Sequence, residues 1–329
     1  FLYGLRPSHG RLPYGKMANS MEGQETVHSV VGPITHSVPD MRLFVQSVLE
    51  QEPWKHDSKV IPMPWRQSEH DAAVKKITSD KLTLGFFNND GVVMPHPPIL
   101  RGVDKVVSTL RENGHEVIDW KPYKHDYAVD LIQGIYASDA GKDIHTVLSA
   151  SGEPAIPNIN DLVDPSISGA DITKLWDVQL QKWKFQMEYI EEWNKLEEKL
   201  GKEMDAFIMP ITPTAAIRHN QFKYYGYASA INLLDFTSVV VPVTFADKNL
   251  DKKDESFKPM NDMDKQVQEE CKFSGCPRSR TATDKITDDA EAYHGAPVAV
   301  QIVGRRLTEE KTMAIAEEIG KLLGNAITP

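Results

Sequence analysis

Short alternating apolar runs, each followed by residues at helical spacing, recur along the chain and predict an α/β domain with a mixed or parallel sheet. Two further observations agree with it. The 329 residues are long enough for a substantial core, and the 40% hydrophobic and 26% charged fractions sit near globular averages. Leu82, Leu84 and Phe86 alternate ahead of Asn88-Asn-Asp-Gly91, which reads as a strand and a turn. Pro97 and Pro98 suit the first turn of a helix whose apolar face is Ile99, Val103, Val106 and Leu110 and whose stop is Gly114. A second strand over 115–119 completes a βαβ unit, for which a right-handed crossover is expected.

Residues 173–200 place Trp176, Leu180, Trp183, Met187, Ile190 and Trp193 at steps of three or four, with charges between them. Asp171 can cap this helix and Gly201 can end it. Its tryptophans are read as packing surface rather than a binding box. Asp205-Ala-Phe-Ile-Met-Pro210, Ser238-Val-Val-Val-Pro-Val243 and Val298-Ala-Val-Gln-Ile-Val303 read as buried strands, with Pro210, Pro213 and Pro242 as punctuation at strand ends. Thr308 opens a last helix with Glu309 and Glu310 in its first turn, where the helix dipole favours acids.

Residues 248–289 are polar and poor in apolar periodicity, the character of a surface insertion. Within it Cys271 and Cys276 enclose four residues without a second ligand pair, so no metal site is expected.

Composition removes several classes of function. With 37 Lys and Arg against 47 Asp and Glu, the formal charge of −10 has the wrong sign for a protein built on phosphate contacts, so no nucleic acid partner is expected. No apolar run reaches the length of a membrane span, and no signal peptide is read. Two cysteines and no Asn-x-Ser/Thr acceptor point to a cytoplasmic location. Gly-x-Ser-x-Gly, His-Glu-x-x-His and the phosphate-cradling glycine motifs are all missing from the sequence. Histidines such as His9, His28, His36, His96 and His294 are scattered and read as surface or capping residues rather than ligands.

The N-terminal stretch carries a resemblance. Gly4-Leu-Arg-Pro-Ser8 and Gly10-Arg11 resemble the segment that follows the nucleophile in the amidase signature family, where Gly-Gly-Ser-Ile-Arg holds the catalytic serine. Met209-Pro-Ile-Thr-Pro-Thr214, Ile231-Asn-Leu-Leu with Val239 to Val243, and Gly295-Ala-Pro-Val-Ala-Val-Gln-Ile-Val-Gly-Arg305 resemble three later family segments, in the family's order. The wording around Leu12-Pro-Tyr-Gly and Asn19-Ser-Met-Glu-Gly-Gln24 is similar to fungal acetamidase-like members.

The resemblance implies an α/β/α sandwich with a mixed, mostly parallel central sheet. It also implies hydrolysis of a small carboxylic amide through an acyl-enzyme, without metal or organic cofactor. The family's serine nucleophile, second serine and lysine would all map upstream of Phe1. The chain is therefore expected to be the C-terminal portion of a single amidase domain, with no catalytic residue of its own and inactive alone. Met17, Met21 and Tyr136 are expected to line the acyl side of the substrate pocket, and Gly4, Arg6, Pro7, Gly10 and Arg11 to support the site from behind. Ser8 and His9 are adjacent, but without a carboxylate orienter the pair reads as a turn. Larger fatty or aryl amides as substrates, or a truncated non-catalytic relative, remain open alternatives. A homodimer is compatible with all three. Residues 272–285 depart from the family pattern and read as a tolerated loop or as translated non-coding sequence.

Overall fold

The computed structural model describes residues 1–160, 168–217, 222–252, 256–269 and 293–324. Seven strands form one sheet: β1 (Tyr3–Arg6), β2 (Ile34–Thr35), β3 (Thr83–Phe86), β4 (Glu116–Asp119), β5 (Ala206–Pro210), β6 (Ser238–Phe245) and β7 (Pro297–Val303), in the spatial order β2-β1-β6-β7-β5-β3-β4. The helices are α1 (Val38–Leu49), α2 (Gln67–Ser79), α3 (Pro97–Glu112), α4 (His125–Tyr136), α5 (Lys142–Ser151), α6 (Pro157–Asn160), α7 (Ile172–Leu200), α8 (Gly226–Leu234), α9 (Asp262–Glu269) and α10 (Glu309–Leu322).

Alternation along the strands divides the interior into two cores. Ala206 and Ile208 of β5, with Val239, Val241, Val300 and Ile302, pack against α1, α2, α3 and α10. Phe207 and Met209 of the same strand, with Val303, pack against α4, α7 and α8. Because each face of the sheet is covered by helices, this is an α/β/α sandwich.

The sheet is mixed, but the expectation that it is mostly parallel needs correction. Among the described residues β3 runs parallel to β4 and β5, whereas the β1–β2, β1–β6, β5–β7 and β6–β7 pairings are antiparallel. Strands buried on both faces read as continuous apolar runs whichever way they run, so the sequence pattern carries no direction.

The βαβ unit forms at β3-α3-β4, with Leu84 opposite Val117 and Gly85 opposite Ile118. Pro242 lies within β6 rather than at its end, at an irregularity of the β6–β7 register between Pro242 and Thr244. β1 pairs with β6 only through residues 238–240, so the missing proline N–H falls beyond that ladder. Helix α7 begins at Asp171, whose side chain accepts the Lys174 N–H at 2.9 Å, and ends at Gly201 in left-handed conformation.

The tryptophan stripe of α7 differs from the packing surface expected of it. Trp193 is fully buried with Phe185 and Tyr189, but Trp176, Leu180, Trp183 and Met187 are exposed. The described part of the expected 248–289 insertion is not all surface, since Val267 of α9 joins the core and the buried Asp264 accepts the Met94 N–H at 3.0 Å. Cys271, Cys276 and residues 272–285 lie outside the described residues.

Candidate functional site

The turn after β1 is held from three sides. Gly4 lies in the strand opposite Val240, while Pro7, Ser8, Gly10 and Arg11 are buried. Gly10 has φ +81°, and a Cβ there would come 3.0 Å from the Lys59 carbonyl oxygen, so both its backbone and its lack of side chain are required. Gly32 passes closer still: a Cβ would sit 1.8 Å from the Leu5 oxygen, beside the bond from the Leu5 N–H to the Pro33 carbonyl.

Arg6 donates to Asn232 Oδ1 (3.2 Å), Asp235 Oδ1 (2.9 Å) and the Phe236 carbonyl (3.0 Å). Asp235 also accepts the His9 N–H (2.8 Å) and Arg306 Nε (2.6 Å). Burial pushes the Asp235 carboxyl up, but the Arg6 charge, the His9 N–H and Arg306 outweigh it and hold the group below its ordinary value. Asp235 follows α8 with φ +57°, a left-handed position that Asp tolerates better than most residues.

Ser8 joins three segments. Its N–H donates to Glu309 Oε1 (2.9 Å), its hydroxyl shares a hydrogen bond with Thr237 Oγ1 (2.9 Å), and the same oxygen accepts the Leu307 N–H (2.8 Å). Arg11 is buried between Glu309 and Glu310, lying 3.3 Å from Glu309 Oε2 and donating to Glu310 Oε1 and to the Met63 and Pro64 carbonyls. Glu310 pairs with Arg66 as well, at 2.6 Å.

Beyond this turn the chain forms a groove of three adjoining cavities that meet at Met21 and Gln24. One, of about 230 Å³, is lined by Met17, Met21, His9, His28, Tyr14 and Lys59 among others. The next, of about 430 Å³, holds Met21 and Tyr136 with Arg6, Asn232, His28 and Ser29. The third, of about 460 Å³, runs from Met21 to Asp139, Lys142 and Leu175. Met21 therefore shares a wall with Met17 and a second wall with Tyr136, whereas none of these three cavities is lined by both Met17 and Tyr136. Met17 is 52% and Tyr136 44% exposed, so neither belongs to the core. Met21 has φ +54° and its N–H donates to Asp143 Oδ2 at 2.8 Å, which fixes the backbone where the cavities join.

His9 and His28 form one wall of the groove, their rings stacked with centroids 3.7 Å apart and planes 11° from parallel. Scattered positions in the sequence gave no sign of this pairing. Burial lowers the pKa of both, and for His9 the neighbouring His28 lowers it further, so the wall favours neutral imidazoles. Lys182 is likewise held down by burial, and its ammonium donates to the Thr26 carbonyl. Asn19 Nδ2 donates to Ser29 Oγ at 2.9 Å.

Asp235, Asn232 and the stacked histidines escaped sequence reasoning as site residues. Asn232 lies inside the Ile231-Asn-Leu-Leu segment, and no local pattern marks Asp235 or the two histidines. Gln301 of the last motif ties the sheet to α8 by donating to the Pro210 (3.0 Å) and Tyr227 (3.3 Å) carbonyls. Among the described residues no three His, Cys, Asp or Glu side chains are placed to hold a metal ion, and no helix is long and apolar enough to cross a membrane. What these groups provide is a concave, partly apolar wall braced by buried ion pairs.

The amidase family profile matches residues 1–313. The chain is 66% identical over 329 residues to an acetamidase of Emericella nidulans, covering all of this chain and 57% of that protein. It is 59% identical over 324 residues to an acetamidase of Aspergillus oryzae, covering 98% of this chain and 56% of that one. It thus spans little more than half the length of these relatives. Among solved structures, a fatty acid amide hydrolase superposes with a TM-score of 0.84 at 26% identity, over 98% of this chain and 53% of that chain.

Proposed function

The chain belongs to the amidase family, and from that membership we propose that it is the C-terminal part of an enzyme hydrolysing a small carboxylic amide to acid and ammonia. The observation that carries the reading is its 66% identity, over every residue, to a protein named an acetamidase. Amide hydrolysis needs an activated nucleophile, a proton for the leaving amine and donors for the tetrahedral oxyanion. In this reading those groups, a serine nucleophile with a second serine and an unprotonated lysine, lie outside the 329 residues, and the chain supplies binding and support. Met21, Tyr136 and Met17 form the acyl-side wall. Arg6, Asp235, Arg306 and the buried acids of α10 hold the turn at residues 4–11 in register behind the reacting centre.

The test uses two proteins, this chain and a form extended at its N-terminus to the length of the acetamidases. Ammonia release is followed from acetamide and from amides of increasing acyl length, with a fluorophosphonate to label an activated serine. Expected are release from acetamide by the extended protein, label on a serine outside this chain, and neither for the chain alone. Label on a serine within the 329 residues would overturn the division of labour. Absence of release and label from both would leave a non-catalytic relative. Faster release from long acyl chains would favour the larger-amide reading that the likeness to a fatty acid amide hydrolase supports.

A further inference from the structure

The cavity of about 430 Å³ differs from its two neighbours in charge. Arg6 is the one permanently charged residue lining it and no Asp or Glu does, whereas Glu22 and Asp57 line one neighbour and Glu22, Asp139 and Asp143 the other. Three of its lining residues also carry a hydrogen-bond donor without a partner among the described residues. Arg6 uses Nε on Asn232 and Nη1 on Asp235 and the Phe236 carbonyl, which leaves Nη2. Because Asn232 accepts that bond through Oδ1, its other end is fixed as the amide donor, and no described residue accepts from Nδ2. The Tyr136 hydroxyl, within electrostatic reach of Arg6, is the third. The surroundings keep this end of the groove cationic: Arg6, Arg306 and Lys182 all act on the single carboxylate of Asp235, while Glu309, the next acid within reach of Arg6, pairs with Arg11.

We propose that this cavity binds a carboxylate anion with a short apolar tail. The head accepts from Arg6 Nη2, Asn232 Nδ2 and the Tyr136 hydroxyl, and the tail lies along Met21, Val27 and Val30. A carboxylate suits these three donors because it is all acceptor, whereas a neutral amide brings an NH2 group that would meet donors only. The volume lies within the range of small-molecule sites, roughly 300–1,000 Å³, and leaves room for more than the head group. An acid of this form is what hydrolysis of an amide releases, so the site retains a product of that reaction. Only this last identification rests on the amidase reading; the binding rests on the cavity.

Calorimetric titration of the chain with butyrate and with butyramide, which differ only in the head group, provides the test. Butyrate is expected to bind about tenfold or more tightly than butyramide. Asn232→Asp keeps an acceptor for Arg6 Nε but replaces the donor with a like charge, so it is expected to weaken butyrate about tenfold or more and to change butyramide little. Tyr136→Phe removes one hydroxyl at an exposed position and is expected to weaken butyrate about threefold or more. Circular dichroism establishes that each variant keeps the fold, and if Asn232→Asp does not, Tyr136→Phe decides. Equal affinity for acid and amide, no binding of butyrate at millimolar concentration, or affinity indifferent to Tyr136→Phe would overturn the proposal. Tighter binding of acetate than of butyrate would overturn the placement of the tail. Ammonia release by the extended protein reports separately on the amidase reading: activity with a failed titration overturns the site alone, and binding without activity overturns only the identification of the acid as product.

Discussion

Arg11 is a fully buried cation between two fully buried carboxylates, the arrangement in which removing one partner is most costly. Arg11→Met is expected to destabilise the chain by about 3–5 kcal/mol, because Glu309 then loses its only cation within salt-bridge distance among the described residues, while Glu310 keeps Arg66. Urea unfolding measures this, and a midpoint within error of wild type would refute it. Adding Glu309→Gln to Arg11→Met is expected to recover part of the loss, since a neutral amide costs less to bury than a lone carboxylate. The residue types were legible in the sequence: an arginine among turn formers, and two acids at a helix start. Their partnership was not, because it joins residues 299 positions apart. The dipole reading of Glu309 and Glu310 accounts for their place in the first turn but not for their burial. His9 and His28 stack for the same reason, brought together by a turn fixed from elsewhere.

At the scale of elements, α7 was legible almost to the residue, since its limits depend on side chains within one turn of each end. Asp171→Ala is expected to cost about 1 kcal/mol, whereas Asp171→Asn costs little because the amide oxygen can also accept the Lys174 N–H. Thermal unfolding of the two variants distinguishes them, and equal losses would show that the cap contributes nothing specific. The faces of the same helix were not legible. A stripe of Trp, Leu and Met at helical spacing states that one side is apolar, but Phe185, Tyr189 and Trp193 compete on the other side, and the packing of α4 and α8 selects them. The strands show the same division. Their existence follows from short runs of Val, Ile and Phe, but their directions follow from the connections, and four of six pairings among the described residues run antiparallel.

The whole molecule gains stability from groups held away from their ordinary titration, which makes it sensitive to acid. Burial pushes His125 from 6.5 down to about 4, so the fold favours its neutral ring. Its contribution is therefore complete above pH 6.5 and is lost as pH falls from there towards 4, a change on the order of 3 kcal/mol. Asp235 and Glu310 are depressed carboxyls, so their contributions are lost only at lower pH, as it falls below the ordinary carboxylate range. Denaturant unfolding at stepped pH is expected to show an upper decline that His125→Asn flattens and a lower one that it leaves in place. Constant stability between pH 7 and about 4.5 would refute this account of His125. The alternation of strands and helices, the caps, the turn glycines and the family motifs could all be read from the chain, because each is set by residues that are neighbours in sequence. Strand direction, the partners of Arg11, the cavity that Met21 shares with Tyr136 and the exposed side of α7 were decided in the folded state. Each depends on surfaces that touch only after distant segments have packed, and local periodicity carries no record of which segments those are.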